Sequence, residues 1–482
     1  MTRVWLIARD EWRLMRRNAV AALAIAMLLA LSIVATLTAL TQRQASDALR
    51  ARYQAQADRA FDAQPARHPH RMVHYGHFVF RPLPALAGFD SGVDAFTGST
   101  IFLEGHRQNS ANFGDVRQSS LLVRFGQLTP AFVLHVLAPL VLIFVGFGMI
   151  ARERERGTLK QLQAHGIAPS AVVGGKTLAL AGVALLLDLP VLAALGWMVA
   201  AGGAPLSDAT AIALGHGAYL AIWVALITAV SALASQARGA LLALIGLWAI
   251  TVVLLPRIAS DVALAMRPSA NRIETDVAIQ RDLRRIGDSH DPADPHFAAF
   301  KAATLARYGV SRVEDLPFNY RGLLALEGER LTAGLFDAYA HRQFAAQRAQ
   351  SGVVALMGIA SPTIAARALS MALAGTDLES HRRFLIQAER YRYTIVQQLN
   401  RLQALSVSYA DDGARNSDPE AARRVRIDPR NWQAVPDFRY RGTSSAEKAA
   451  AALPAASVLA GWALLAMLLL RLATRRVAGA VR

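Results

Sequence analysis

Six long apolar runs constrain the fold of this chain more than any other feature. Each contains about 20 residues with almost no charge, the length that an α-helix needs to cross the hydrocarbon of a bilayer. The composition agrees, because 54% hydrophobic and 18% charged residues are too apolar a balance for a purely soluble protein. We therefore predict an α-helical polytopic membrane protein with six transmembrane helices. The predicted spans are 20–40, 131–150, 176–200, 209–233, 239–256 and 454–472, with spans 3 to 5 forming the block 173–256.

Basic residues in the short loops set the predicted orientation, because such residues are retained on the cytoplasmic side. They cluster before span 1, between spans 2 and 3, at Arg238 and in the basic tail 473–482, whereas the opposite short connection GGAPLSD has none. Both termini are therefore predicted to be cytoplasmic, and the long loops 42–130 and 257–452 to lie outside. The first run is longer than a signal-peptide core and lacks an evident cleavage site, so we interpret it as a retained anchor.

The N-terminal residues 1–19 have the period of an amphipathic helix. Trp5 and Trp12 lie on or beside its apolar side, and four arginines occupy the other side. Tryptophans above a basic face are typical of a helix in the headgroup plane. We predict a cytoplasmic interfacial helix immediately before span 1.

The two outer loops differ in their patterns. The first, 42–130, has the strand-like pieces RMVHYGHFVF and STIFLEGHR between turns rich in Pro and Gly, which predicts a mixed α/β domain. The second, 257–452, is mainly helical in pattern, with apolar residues at three- and four-residue steps between Phe384 and Leu399. We interpret its polar stretch YADDGARNSDPEAARR as a mobile loop.

One segment of the second loop, 352–375, is apolar enough to imitate a seventh span. Ser361 and Pro362 interrupt it, Arg367 would lie in its interior, and a seventh crossing would place the basic C-terminus outside. We predict two shorter helices, the second with Ser361 as its N-cap and Pro362 at its first position. They would be buried in the outer domain or lie on the bilayer surface.

The formal charge of +17 raises the question of a nucleic-acid partner. The basic residues lie beside the spans and across the long loops, and no nucleic-acid-binding module is recognisable. Contact with anionic lipid is the better interpretation, and no nucleic-acid partner is predicted. The chain has no cysteine, which excludes disulfides, thiolate nucleophiles and cysteine-ligated metal sites.

Four histidines in HPHRMVHYGH resemble a metal site. In an extended strand His68, His70 and His74 lie on one face and His77 on the other, so all four cannot converge without a turn. No carboxylate or cysteine is close in the sequence. We therefore favour surface and core histidines, and His68, His70 and His74 remain weak candidates for metal ligands.

Two other segments imitate known sites. The stretch DSHDPADPH offers His290, Asp291, Asp294 and His296, but its prolines suit an ordinary turn with capping residues. The stretch SAVVGGKT ends like a phosphate-binding loop, yet a serine replaces the required first glycine and no strand precedes it. No metalloprotease or hydrolase motif is present. No catalytic residue is assigned, and the chain is not predicted to be an enzyme.

Asp188 is the one charge clearly within a predicted span. At 1.5 Å per residue it lies roughly 18 Å from the start of span 3, near mid-membrane. A carboxylate at that depth is costly unless it is protonated, paired or beside a polar cavity, which makes it a functional candidate. The alternative is a structural hydrogen bond to a neighbouring helix, involving His135 or His216.

The segment 151–170, ARERERGTLKQLQAHGIAPS, follows one apolar run directly and soon gives way to another. Its alternating arginines and glutamates cannot lie in hydrocarbon. Gly157 and Thr158 interrupt the helix and restart it, with Thr158 as the expected N-cap. Gly166 then closes the short helix, and a Pro-Ser pair starts span 3. We predict a short helix across the cytoplasmic face that is joined to a span at each end.

At these residues the sequence resembles the permeases of type-2 ABC transporters, whose loop between spans 2 and 3 has the pattern acidic–basic–Glu–(Lys/Arg)–Gly–Thr before a Leu-rich helix. The interfacial N-terminal helix and the six spans fit the same family. The phrases FDSGVDAFTGSTIFLEGHRQN, LPFNYRGL and LSMALAGTDLESHRRF resemble its branch with two large extracytoplasmic insertions. In that family a short span 5 is followed by helices that re-enter from outside, whereas here the outer insertion begins right after 256.

The resemblance implies a permease subunit in a bacterial inner membrane, with export as the expected direction and 151–172 as a coupling loop. It implies an ABC ATP-binding subunit and a second copy or a related permease as partners, besides lipid and a possible periplasmic partner. No cofactor is expected on this chain, since ATP and Mg²⁺ bind the ATPase. The alternative function is a membrane-anchored sensor or scaffold whose outer domains bind a ligand or partner without transport. The coupling residues that the resemblance implies are Arg154, Glu155, Arg156, Gly157, Thr158, Leu159 and Leu162.

Overall fold

The computed structural model describes residues 3–109, 111, 128–201, 203–289, 291 and 293–479. Helices dominate these residues, and six of them are long and apolar enough to cross a membrane. At the level of helix length and composition, this confirms a helical, multi-pass membrane protein. We number these helices as spans 1 to 6. They are Ala19–Asp62, Pro130–Glu155, Pro169–Ala200, Leu206–Leu233, Ala237–Met266 and Ser445–Gly479.

The N-terminal segment forms a separate helix, Arg3–Arg17, whose buried face includes Ala8 and Met15. This helix packs mainly along span 3. Asn18 separates it from span 1 and caps that span, because its side-chain oxygen accepts the backbone N–H groups of Val20 and Ala21. The two helices therefore meet at a defined corner.

Span 1 is much longer than the predicted 20–40. It is one helix of 44 residues, about 66 Å long, or roughly twice the thickness of the hydrocarbon core. The sequence between 41 and 62 contains no glycine or proline, so nothing stops the helix when the chain becomes polar. The helix of span 1 therefore continues unbroken beyond the predicted boundary at 42, and the first outer region begins as its continuation.

Spans 2 and 5 each contain a π-helical segment near a proline. In span 2 this segment is Val133–Leu137, followed by Pro139, which has no N–H to donate to the carbonyl four residues earlier. In span 5 it is Ala249–Leu254, just before Pro256, and the helix continues to Met266. The two segments are neighbours, because the Trp248 indole N–H donates to the carbonyl oxygen of Val136 at 3.0 Å.

Span 4 lies in the core of the helix bundle. Its Tyr219 and Trp223 are fully buried, and it packs against spans 3 and 6. At the predicted outer ends of spans 4 and 6, Asp208 and Lys448 form a buried ion pair at 2.9 Å. The Asp208 carboxylate lies in the first turn of its helix, where the helix dipole also favours a negative charge.

The apolar segment 352–375 divides as predicted. Its first part ends the long helix Tyr320–Met357, and its second part is the helix Pro362–Ala374, hereafter the buried helix. Ser361 is the N-cap, with its Oγ accepting the N–H of Ile364 at 3.3 Å. The buried helix packs between spans 4 and 6. Span 4 approaches it closely at Gly215, where a Cβ atom would lie 2.5 Å from a methyl carbon of Leu369.

Among its described residues, the first outer region has less sheet than the sequence indicated. β1, His77–Phe80, pairs antiparallel with β2, Thr100–Leu103, in the register His77 to Leu103. The predicted strand at 71–75 was wrong, because His68 and Pro69 start a helix, Pro69–Tyr75. Gly76 ends that helix with a φ of 73°. The histidines of this segment therefore follow a helical period instead of the alternation of a strand.

The second outer region is helical, as predicted. Helix Leu378–Ser406 buries the predicted apolar face, and the long helix Tyr320–Met357 packs along it. The polar stretch predicted to be a mobile loop contains two short helices instead. Its buried Asp412 holds it in place by accepting hydrogen bonds from Asn319 at 2.8 Å and Gln403 at 2.9 Å. The helices of this region are Arg272–Ile286, Pro295–Tyr308, Tyr320–Met357, Leu378–Ser406, Tyr409–Ala414, Pro419–Arg424 and Arg430–Gln433.

Candidate functional site

The loop between spans 2 and 3 contains a short helix between two left-handed glycines. Gly157 (φ 74°) precedes Thr158–Ala164, hereafter the loop helix, and Gly166 (φ 73°) follows it. The prediction of Thr158 as N-cap was one residue off, because Gly157 takes the capping position. The Thr158 hydroxyl instead donates to the carbonyl oxygen of Glu153 at 3.2 Å. A side chain at either glycine would strain the backbone, so both turns favour glycine.

Arg154 and Glu155 bind the turn between spans 4 and 5. The Arg154 guanidinium donates to the carbonyl oxygen of Ala232 at 2.6 Å and to that of Ala234. Glu155 accepts the backbone N–H of Ala237, the first residue of span 5, at 2.9 Å. A cation thus meets the carbonyl end of span 4 and an anion meets the amide end of span 5, which favours both helix dipoles.

Span 4 also caps the start of the charged segment. The hydroxyl oxygen of the fully buried Ser231 accepts the backbone N–H groups of Ile150 at 3.0 Å and Ala151 at 3.3 Å. These amides belong to the start of the helix Ala151–Glu155, where no partner exists within the helix itself. The charged segment is therefore fixed to spans 4 and 5 through its backbone as well as its side chains.

Lys176 joins three elements at the predicted inner face. Its buried ammonium lies 2.6 Å from the Glu11 carboxylate of the N-terminal helix and 2.7 Å from the Glu153 carboxylate. Lys176 itself belongs to span 3. Lys176, which resembles the lysine of a phosphate-binding loop in the sequence, is thus paired with two carboxylates. This pairing ties the N-terminal helix to the segment that leads into the loop helix.

The apolar side of the loop helix packs into a separate cluster of the core. Leu159 is buried and Leu162 is half-buried, in contact with residues of spans 3, 4 and 6. Beside them, the Gln163 amide donates to the carbonyl oxygen of Val477 in span 6 at 3.0 Å. The loop helix is therefore packed between the predicted cytoplasmic ends of several spans.

The opposite side of the loop helix is open. Arg156 and Lys160 are exposed there and give this face a positive charge. Of the predicted coupling residues, only Glu155 and Arg156 have exposed side chains, while the others are buried or half-buried. The exposed residues of this side are Glu155, Arg156, Lys160, Gln161, Ala164 and His165.

His135 and His216 meet within the bundle. Their rings stack with centroids 4.6 Å apart, and both side chains are buried. Tyr219 donates to the carbonyl oxygen of His135 at 2.7 Å, the group that Pro139 leaves without its helical donor. The same hydroxyl lies 2.9 Å from Thr363 of the buried helix. These contacts link span 2, span 4 and the buried helix through one polar cluster.

Asp188 forms no hydrogen bond with these two histidines. Its side chain is buried in span 3, and its Oδ1 atom has no hydrogen-bond partner among the described residues. His216 bonds to the carbonyl oxygen of Ile212 in its own helix at 2.9 Å instead. The structural alternative, a hydrogen bond from Asp188 to His135 or His216, is therefore not formed.

The three weak metal candidates have separate surroundings. His68 caps the helix Pro69–Tyr75 and pairs with Asp412 at 3.1 Å, and burial lowers its pKa to about 4. The Nε2 atoms of His70 and His74 lie 3.2 Å apart. Burial, with the charges of His74 and His106 next in weight, lowers the pKa of His70 to about 3, so its ring is neutral at pH 7. His106 completes a cluster that the sequence analysis missed, because it lies 32 residues beyond His74 in the sequence.

The remaining residues of the two histidine-containing stretches form local structural contacts. His77 lies 3.1 Å from the Asp58 carboxylate of the extended span 1 helix. Asp294 caps the helix that follows it by accepting the N–H of Phe297 at 3.1 Å, as expected for a turn with a capping residue. His290 of the same stretch lies outside the described residues.

The fold described above defines the class: a helical membrane protein with six candidate spans and two large regions between spans, which are predicted to lie outside. Within it, residues 272–441 match the model of a domain family, "Domain of unknown function (DUF3526)". This match covers most of the second outer region. No curated protein and no solved structure matches the chain.

Proposed function

We propose that this chain is the transmembrane permease subunit of an ATP-driven ABC transporter that exports its substrate across the bacterial inner membrane. A separate ATPase subunit would bind ATP and Mg²⁺, so this chain carries no cofactor and is not an enzyme. The observation that carries the proposal is the double attachment of the loop helix. One face of this helix is open for a partner, while its other face packs among the spans, and the charged segment that leads into it is bonded to spans 3, 4 and 5.

The attachment gives a route for mechanical coupling. Movement of the loop helix pulls on the turn between spans 4 and 5 through Arg154 and Glu155. It pulls on span 6 through Gln163, and on span 3 and the N-terminal helix through the Glu153–Lys176 pair. Because these contacts are short and partly buried, a displacement at the open face is passed to the helices instead of being absorbed by a flexible loop.

The open face also defines the partner's chemistry. Arg156 and Lys160 are exposed on this face, and Glu155 is its only acidic side chain among the described residues 151–170. A groove with acidic residues and backbone carbonyl groups complements such a face. We assign that groove to the ABC ATP-binding subunit, and we expect two permease chains in the complex.

Reversing the charge of the open face tests the proposal. We expect Arg156→Glu together with Lys160→Glu to reduce co-purification of an ABC ATPase co-expressed with this chain and the stimulation of that ATPase by the permease. The matched control is Arg13→Glu, an exposed arginine of the N-terminal helix that lies outside the loop. Full stimulation of the ATPase by the double variant would contradict the proposal, as would an equal loss in the control.

Site-specific labelling gives an independent test, because the chain has no cysteine. In a Gln161→Cys variant we expect labelling by a membrane-impermeant maleimide in inverted vesicles but not in intact cells. Binding of the ATPase should then slow the labelling. Labelling from the outer side would place the loop helix on the wrong face and exclude the transporter function.

The alternative function is a sensor or scaffold without transport. It is supported by a cleft of about 340 Å³ beside the outer end of span 6, lined by Arg382, Arg383, Glu447 and neighbouring residues. A mixed-charge cleft of this size admits a small polar ligand. That function predicts no stable ATPase partner and no change in the labelling of Gln161→Cys on addition of ATP.

A further inference from the structure

We infer that His70, His74 and His106 form a binding site for a divalent transition-metal ion of the zinc class. The site lies in the first outer region and is separate from the loop helix, so it does not depend on the transport proposal. Three imidazole nitrogens from three different positions lie within 4.8 Å of one another. Neutral imidazole is a ligand for zinc, copper and nickel, whereas Mg²⁺ and Ca²⁺ require oxygen ligands.

The first two ligands come from one face of the helix Pro69–Tyr75. His70 and His74 are four residues apart, and side chains at this spacing lie next to each other on a helix. Their Nε2 atoms are 3.2 Å apart. Two nitrogens bound to one tetrahedral Zn²⁺ at roughly 2.0–2.1 Å lie about 3.3 Å apart, so the pair already has the separation that the metal requires.

The third ligand is brought in by a tight turn after β2. The Gly105 N–H donates to the carbonyl oxygen of Val73 at 3.3 Å, and a Cβ at position 105 would overlap the Val73 side chain. The next residue, His106, has a φ of 62° and is the single non-glycine residue with a positive φ in the described part of the chain. A strained backbone that directs a side chain towards two other ligands is typical of a functional site.

The second outer region supplies the support for this third ligand. The Glu329 carboxylate is fully buried, accepts the backbone N–H of His106 at 3.0 Å and lies 3.5 Å from its Nδ1 atom. Arg392 binds Glu329 at 2.6 Å and the carbonyl oxygen of Glu104 at 3.1 Å. A carboxylate behind a ligating histidine helps to orient its ring towards the metal.

The exposure of His74 sets the character of the site. Because this ring is exposed while the other two are partly buried, the ion is reached from solvent and keeps an open coordination position. The ligands belong to the first outer region and the supporting Glu329 to the region that matches the domain family. A bound ion therefore stabilises the contact between the two outer regions.

Zinc binding by the purified full chain tests the inference. The protein is prepared in detergent with an affinity tag free of histidine, stripped with a chelator and titrated with Zn²⁺ in a calorimeter. We expect about one Zn²⁺ per chain, and a loss of affinity of at least about 100-fold in His74→Gln and in His106→Gln, because removing a supporting residue alone already costs 10- to 100-fold. The control His296→Gln removes another outer histidine beside a carboxylate and should bind as the wild type does.

The variants also separate metal binding from a simple hydrogen bond between His70 and His74. The exposed His74 can be replaced without disturbing the core, so a folding defect cannot account for its loss of binding. Glu329→Gln should weaken Zn²⁺ binding about 10- to 100-fold with the three ligands kept. Absence of Zn²⁺ binding in the wild type, or equal binding in His74→Gln and His296→Gln, would overturn the inference.

Discussion

Replacing Lys176 with methionine is expected to release the N-terminal helix from span 3. The Lys176 side chain is 3% exposed and lies within 2.7 Å of the carboxylates of Glu11 and Glu153. Removing one partner of a buried ion pair costs about 3–5 kcal/mol, because the opposite charge stays buried without compensation. The Glu153 side chain is 24% exposed, so water screens part of the effect. We therefore expect a cost of about 3 kcal/mol.

A single introduced thiol measures this release. Ala8→Cys places the chain's one cysteine on the buried face of the N-terminal helix, where Ala8 is 5% exposed. Maleimide then labels the thiol only when the helix opens, so the labelling rate reports the population of the opened state. Since 1.36 kcal/mol corresponds to a factor of ten, a cost of about 3 kcal/mol gives roughly 150-fold faster labelling.

Two controls make the measurement specific. Adding Glu11→Gln and Glu153→Gln to Lys176→Met removes the uncompensated charges and should restore most of the protection. Ala466→Cys, at a fully buried position of span 6, should keep its labelling rate in both backgrounds. If Ala8→Cys is labelled at the same rate with and without the Lys176 side chain, this ion pair does not hold the N-terminal helix, and the reasoning fails.

Three further predictions concern the outer regions and the buried helix. Arg392→Leu leaves buried carboxylates without a cation and should lower the free energy of unfolding in urea by about 3–5 kcal/mol, whereas Arg348→Ala, in an exposed ion pair, should cost less than about 1 kcal/mol. Gly215→Val forces a side chain against Leu369 and should cost about 1–3 kcal/mol in thermal unfolding, with recovery when Leu369→Ala is added. Burial depresses the pKa of His68 from 6.5 to about 4, so the unfolded chain takes up a proton first and stability is lost as the pH falls through this window. In His68→Asn, where asparagine can still cap the helix, urea unfolding should show a smaller loss between those pH values.

Local signals in the sequence predicted the elements that local chemistry determines. The apolar runs predicted six spans because hydrocarbon length is a property of each segment alone. Ser361 and Pro362 predicted the start of the buried helix, since a serine cap and a first-turn proline act within one turn. The end of the span 1 helix was not predicted, because the local signal used for it was the loss of apolar residues. Loss of apolarity marks the edge of the membrane but does not stop a helix, and no breaker follows until 65.

Contacts between distant segments were beyond sequence reasoning. Arg154 and Glu155 were predicted as partner-facing residues, yet they cap spans 4 and 5, some 80 residues away. His106 joins His70 and His74 only because β1 and β2 pair and a glycine turn follows. The prediction of a strand at 71–75 also hid the pairing of His70 with His74. Side chains four residues apart lie next to each other on a helix, whereas in a strand they lie far apart along the chain. The positive φ of His106 is likewise visible only in three dimensions.

The π-helical segments of spans 2 and 5 have a consequence for how these helices can separate. Carbonyl oxygens of these segments, at His135, Val136 and Thr251, accept hydrogen bonds from Tyr219, Trp248 and Ser361. If the helices part, water can replace each of these donors at a net cost of about 1 kcal/mol per bond. The backbone of each span then stays intact while a wetted seam opens along the proline sites. Such a bundle can admit water between its helices without unwinding any of them.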